Sequence, residues 1–157
     1  MVLIPARSVP CKKLALRRYQ MTKKIILATL AVFVAWAILD FIIHGVILGS
    51  AYQATAHLWR PMAEMKNGLM YFVKLLSALV IVTIYARLVS PKNMNYAVSF
   101  GVLFGLGSGI SMGYGTYSVQ PIPYFMALVW FLGTLLEAIV AGFLLGWLVT
   151  EEKAKTA

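Results

Sequence analysis

The stretch Ile122-Val149, IPYFMALVWFLGTLLEAIVAGFLLGWLV, decides the fold class, because it carries one charged residue, Glu137, in a run longer than the ~20 residues that cross a bilayer. An apolar run of that length without strand-like alternation reads as a helix that satisfies its own backbone hydrogen bonds in hydrocarbon. Its excess length predicts a tilted or protruding span.

Three further runs of the same kind precede it: Lys24 to His44, Gly68 to Ala86 with Lys74 inside, and Asn95 to Gly115. Of the 157 residues 61% are apolar and 12% charged, and the mean hydropathy is +0.83. Such a composition excludes an ordinary soluble domain. The expected fold is an all-α, integral-membrane four-helix bundle whose spans two, three and four follow one another as antiparallel, sequence-adjacent neighbours.

Four spans put both termini on one side, and the basic residues say which. Arg7, Lys12, Lys13, Arg17, Arg18, Lys23 and Lys24 precede span one, Arg87 and Lys92 sit between spans two and three, and Lys153 and Lys155 follow span four. Only Arg60 and Lys66 lie in the opposite loops. The positive-inside rule gives an N-in, C-in topology. The net charge of +9 is therefore read as topogenic and as a match for lipid headgroups, and nucleic acid is not an expected partner.

Residues 1-20 read as a basic, unstructured arm, and Met21 followed by Thr22-Lys23-Lys24 resembles a bacterial start, so the arm reads as an upstream extension. The first apolar run is too long for a signal-peptide core. Residues 21-149 form one membrane domain and 150-157 a charged tail. The single cysteine, Cys11, leaves no partner for a disulfide within the chain. Aromatic residues near the span ends, Tyr71, Tyr114, Tyr117 and Tyr124 on the outer side and Tyr85, Tyr96 and Trp147 on the inner, read as interfacial belts.

The third span carries Gly101, Gly105, Gly109 and Gly113 at four-residue spacing, which puts a smooth groove on one helix face. Ala138, Gly142 and Gly146 form a matching stripe on the fourth span. Close packing of span three on span four, or on another subunit, is the expectation. A flexible or water-lined helix is the alternative.

Asp40, Lys74 and Glu137 lie inside the spans, where each costs on the order of 2.5 to 3.5 kcal/mol at the bilayer centre if unpaired. Counting ~1.5 Å per residue puts all three in one slab, with Lys74 the counter-ion for Asp40 or Glu137. They read either as a structural ion pair or as stations of a proton or cation route opening toward His44.

The first external segment, Gly45 to Asn67, extends that polarity in the pattern Asp40-x3-His44-x8-Gln53-x3-His57-x2-Arg60-x3-Glu64. Both histidines of the chain lie in it. Asp40 and His44 at i and i+4 share a helix face, where a carboxylate can orient an imidazole. The segment also contains Val46, Leu48, Tyr52, Leu58 and Trp59, and is expected to lie on the outer interface over the bundle mouth. Ala51 to Trp59 predicts a short helix, and Pro61 predicts the first residue of the helix leading into span two, with Glu64 in its first turn.

If the segment folds back, His44, His57, Asp40 and Glu64 make a candidate site for zinc or iron. The spacing matches no strong metal signature, no cofactor is strongly implied, and an axial haem pair is disfavoured because only one histidine lies firmly in a helix. The other arrangement is a hydrogen-bonded network in which Arg60 pairs with Glu64 or a lipid phosphate. Enzyme chemistry is not expected: the glycines lie within a span rather than after a strand, and Ser50, His44 and Asp40 have no nucleophile elbow.

The run Asp40-Phe41-Ile42-Ile43-His44-Gly45, Tyr52, and Leu58-Trp59-Arg60-Pro61-Met62-Ala63-Glu64-Met65, followed by three spans of which the second is glycine-rich, resembles uncharacterised small four-helix bacterial inner-membrane proteins. The resemblance covers Met21 to Val149 and implies a multi-pass protein of the bacterial cytoplasmic membrane, with no activity attached. Two functions follow as expectations: a small ion- or solute-handling protein using the polar site, or a non-catalytic accessory subunit docking through the glycine face. A homo-oligomer or a larger membrane complex fits either.

Overall fold

The computed structural model describes residues 11-150, and all its regular structure is helical. Arg7 with the rest of residues 1-10, and the charged tail with Lys153 and Lys155, lie outside the described residues. Four helices are long and apolar enough to cross a membrane: Arg18–Ile47, Asn67–Leu88, Met94–Gly115 and Tyr124–Leu148.

The first, α1 (Cys11–Asp40), begins within the segment expected to be an unstructured arm, so the chain from Cys11 onward is helical. The run of Lys, Arg, Leu and Ala there has good intrinsic helix propensity, and the spanning helix beyond it supplies the nucleus that a free arm lacks. Beyond Asp40 the helix widens into a π turn, Phe41–Ile47, closed by the Leu48 amide donating to the Ile43 carbonyl at 2.9 Å. A short α2 (Gly49–Ala54) and two 3-10 turns, Ala56–Leu58 and Met62–Glu64, lead to α3 (Asn67–Leu88).

Here the structure corrects a reading of the sequence. Pro61 does not open the second span: Met65 is extended (φ −66°, ψ 129°), and α3 starts only at Asn67. Glu64 thus ends an isolated turn and has no long helix dipole to meet. Asn93 caps α4 (Met94–Ile110), its side-chain oxygen accepting from the Tyr96 amide at 3.1 Å. A second π turn, Ser111–Gly115, extends α4, and α5 (Tyr124–Leu148) closes the bundle. Lys24 donates to the Thr150 carbonyl at 3.1 Å, bringing the start of the first span and the end of the last to the same end of the molecule. We call this the terminal end, and the opposite one the loop end.

The spans do not pack in sequence order. The most extensive interface joins α4 to α5, α1 packs on both α3 and α5, and α3 meets α4 only loosely. Glycine decides this. A Cβ built on Gly105 would stand 2.8 Å from the Ala138 Cβ and 3.0 Å from the Leu135 Cα, and one on Gly109 would stand 2.9 Å from the Phe131 carbonyl oxygen. Gly101 faces Ala138 and Gly142, while Gly113 faces Ala127 and Phe131. From the other side, a Cβ on Gly142 would come within 2.7 Å of the Ala97 carbonyl oxygen, and one on Gly146 within 3.0 Å of the Met94 Cα. Backbone approaches backbone along the whole antiparallel pair, which only side-chain-free positions permit. No such stripe exists on α3, so it settles on α1.

Two cores result. At the terminal end Ile25, Val32, Ile81, Val82, Tyr85 and Leu145 pack together. Tyr85 is fully buried there, its hydroxyl donating to the Asn93 carbonyl at 3.2 Å, and is not a belt residue. At the loop end Ile43, Leu48, Ile122, Met126 and Trp130 form the second core, against which Ala51, Tyr52, Leu58 and Trp59 pack. The connecting segment thereby folds over the start of α5. Trp36 donates to the Glu137 carbonyl at 2.8 Å, tying α1 to α5 between the two cores.

Candidate functional site

Asp40 is the last α-helical residue of α1, and the π turn that follows sets the direction of His44. Two groups converge on the Asp40 carboxylate. Its Oδ2 forms an ion pair with the Lys74 ammonium of α3, and its Oδ1 lies 3.6 Å from His44 Nε2. Lys74 and Asp40 are 18% and 28% exposed, so the pair is largely withdrawn from solvent and losing either partner would leave the other charge without a counter-ion. The Lys74 ammonium also stands 5.8 Å from the centre of the Tyr71 ring, within cation–π range.

The other imidazole nitrogen, Nδ1, lies 2.7 Å from the Tyr52 hydroxyl. Trp130 of α5 donates its indole N–H to the same hydroxyl at 3.0 Å. A carboxylate only accepts, so Nε2 facing Asp40 carries the proton in the neutral ring, and Nδ1 accepts from Tyr52. Burial raises the Tyr52 phenol above its ordinary range and outweighs the opposing Trp130 hydrogen bond, so Tyr52 remains a neutral donor. The result is a continuous chain, Trp130 to Tyr52 to His44 to Asp40 to Lys74, linking α5, α2, the π turn, α1 and α3.

Tyr52 is held by packing as well as by polar bonds. Its ring meets Trp59 edge-on at 5.6 Å between centres, and Trp59 meets Trp130 at 6.0 Å. The Trp59 indole N–H donates to Thr55 Oγ1 at 2.9 Å, and that hydroxyl donates to the Ala51 carbonyl at 2.7 Å. Tyr52→Phe is expected to leave both the Trp130 N–H and His44 Nδ1 short of a partner and to destabilise the fold by about 1 to 3 kcal/mol. Thermal unfolding in mild detergent, with Tyr71→Phe as the control, checks this.

Behind Asp40 and His44 a cavity of about 30 Å³ opens between α1, α4 and α5. Its polar walls are Asp40, His44, Thr134 and Glu137, and its apolar walls include Ile43, Met112 and Trp130. Both π turns contribute, Ile43 and His44 from one and Met112 from the other. π turns recur at functional sites because the extra residue re-aims the side chains around it. Glu137 Oε1 is buried and has no hydrogen-bond partner among the described residues. Its carboxyl lies close enough to Lys74 for their charges to interact, though Lys74 is bonded to Asp40.

Chemistry-bearing residues singled out in the sequence divide into two sets. Asp40, His44, Lys74 and Glu137 come together around the cavity. Gln53, His57, Arg60 and Glu64 do not join them: all four are exposed on the connecting segment, and none of their side chains makes a hydrogen bond or ion pair among the described residues. The grouping of His44 and Asp40 with His57 and Glu64 does not form, nor does an Arg60–Glu64 pair. Among the described residues no three His, Cys, Asp or Glu side chains are placed to share a metal ion. The places expected for His57 and Glu64 are taken by Tyr52 and Trp130.

Set against known protein families, curated proteins and solved structures, the chain matches none. The reading of function therefore rests on the site.

That site concentrates ionisable groups. It contains one ion pair, one imidazole with both nitrogens engaged, and one buried carboxyl open to a small polar cavity. It contains no activated nucleophile and no cluster of donors aimed at a reacting carbonyl or phosphate among the described residues. The glycines Gly101, Gly105, Gly109, Gly113, Gly142 and Gly146 line no part of the cavity and act in helix packing.

Proposed function

We propose that this is a small multi-pass membrane protein that handles ions through Asp40, His44, Lys74 and Glu137. One observation carries the reading: four ionisable side chains from α1 and its π turn, α3 and α5 gather within helices long and apolar enough to span a membrane, two acids and the imidazole lining one cavity. Intramembrane charges are expensive, and a bundle that needed only packing would replace them with apolar residues. The bacterial cytoplasmic membrane, with both termini inside, is the location and orientation we assign. The skewed Lys and Arg distribution and the resemblance to small inner-membrane proteins support it.

An accessory role through the glycine-rich third span meets a physical obstacle. Gly101, Gly105, Gly109 and Gly113 are already covered by α5, so a partner docking there would have to displace it. Any homo-oligomer or larger complex would instead use lipid-facing surfaces such as Leu103 or Phe143.

Proteoliposomes adsorbed on a solid-supported electrode provide the test. Steps in H⁺, Na⁺, K⁺ or Mg²⁺ concentration should evoke a transient charge displacement for at least one ion. His44→Gln combined with Glu137→Gln, which leaves the Asp40–Lys74 pair intact, should reduce it at least tenfold while leaving the protein monodisperse. No response above protein-free vesicles for any ion, or an unchanged response in the double variant, would overturn the proposal.

A further inference from the structure

The cavity holds about 30 Å³, enough for a water or two and not for a hydrated metal ion. A desolvated cation would need several oxygen or nitrogen ligands in its place. The Asp40 charge is already neutralised by Lys74, and no third ligand joins Asp40 and His44 among the described residues. What remains is a buried carboxyl oxygen without a partner, facing water-sized space shared with an imidazole.

We propose that the ion is the proton, and that it passes between His44 and Glu137 through water in the cavity. This inference rests on the ion-handling reading above. In the transfer, His44 starts as an imidazolium and Glu137 as a carboxylate. The Nε2 proton goes to a cavity water, and that water's own proton goes to a Glu137 oxygen. A neutral imidazole and a neutral carboxyl are left, and the water is regenerated. The imidazole is left as the Nδ1–H tautomer, the reverse of the resting neutral ring, so the Tyr52 oxygen accepts from His44 where in the resting tautomer its hydroxyl donates. A hydroxyl is the group that can make that exchange of roles without moving its oxygen.

Charged or titratable groups facing this path are Asp40 and His44 from α1 and its π turn, and Lys74 from α3. Tyr52 reaches it from α2. The cavity wall from α4 is Met112, and α5 contributes no further titratable group there. Lys74 stays bonded to Asp40, and the pair sets a fixed dipole beside the path.

Access is from the loop end. Toward the terminal end the core is apolar apart from Thr29, buried with its hydroxyl unpartnered, and Tyr85, committed to the Asn93 carbonyl. On that side of Glu137 lies Trp36, a residue of the terminal-end core whose indole N–H donates to the Glu137 carbonyl.

Infrared difference spectra of the protein in lipid vesicles, taken across a pH titration, test the proposal. One component of the protonated-carboxyl carbonyl band should appear and vanish with pH in the wild type and be missing in Glu137→Gln, while exposed carboxyls such as Glu64 contribute equally to both spectra. In His44→Gln its midpoint should move by about one pH unit or more, because a neighbouring titrating charge is gone. This second variant keeps the test valid if Glu137→Gln is not recovered folded. Identical titrating carbonyl bands in the wild type and Glu137→Gln, or an unmoved midpoint of the Glu137 component in His44→Gln, would overturn the transfer. Charge displacement on Na⁺, K⁺ or Mg²⁺ steps at fixed pH, with none on a pH step, would overturn the proton while sparing ion handling. No displacement with any ion would remove the broader reading itself.

Discussion

Gly105→Leu and Gly142→Leu, made singly, should each yield little or no monodisperse protein from detergent, whereas Gly107→Leu should behave as the wild type. All three exchange glycine for a better helix former, so propensity alone would favour each. The difference lies in what the new side chain meets. At Gly105 the first added atom would already stand 2.8 Å from the Ala138 Cβ, and at Gly142 it would stand 2.7 Å from the Ala97 carbonyl oxygen. Three further carbons cannot enter without separating α4 from α5, a loss of more than about 3 kcal/mol for the tightest contacts. At Gly107 nothing lies within 4 Å. Size-exclusion profiles of the three variants read the outcome, and a normal profile for Gly105→Leu would reject the close approach.

Asp40→Asn should be the most destabilising of the polar substitutions, by about 3 kcal/mol, because it leaves the Lys74 ammonium inside the bundle without its counter-ion. Removing both charges in Asp40→Asn with Lys74→Met should restore most of that stability, since neither ion then needs a partner. Thermal unfolding of the two singles and the double gives the coupling directly. Additive losses would mean that the ion pair contributes nothing to the fold.

Much of this architecture was legible because a span needs only length and apolarity, which sequence displays openly. The last three runs fall within about two residues of the helices observed, whereas the first helix begins well before Lys24, at Cys11; the Gly101 to Gly113 ladder pointed to the helix face that α5 covers. The order of packing was harder. Short loops suggest sequence neighbours, yet the ladder pulls α4 onto α5, and α3 is left to α1. The Asp40–His44–Lys74 group was readable from helical spacing and from the cost of a lone charge in a bilayer. Tyr52 and Trp130 were not, because their hydrogen bond joins positions 78 apart in the chain and no local pattern marks it. His57, Arg60 and Glu64 misled for the complementary reason: near Asp40 in sequence, they lie on a segment whose apolar residues, Leu58 and Trp59, turn toward α5 and leave the polar ones outside. The π turns also escaped notice, since a sequence that favours an α-helix gives no separate signal for one extra residue per turn.

A strut and a working site make different demands on the same four residues. If the Asp40–Lys74 pair only holds α1 to α3, neutralising both ends should recover everything the protein does. The decisive measurement is therefore ion-evoked charge displacement by the doubly neutral Asp40→Asn/Lys74→Met protein, made on material whose unfolding temperature has returned to near the wild-type value. Restored stability with the displacement at least tenfold below wild type is the expected result. Restored stability with a full wild-type response would show that the charges serve the fold alone, and would contradict an ion-handling site built on them.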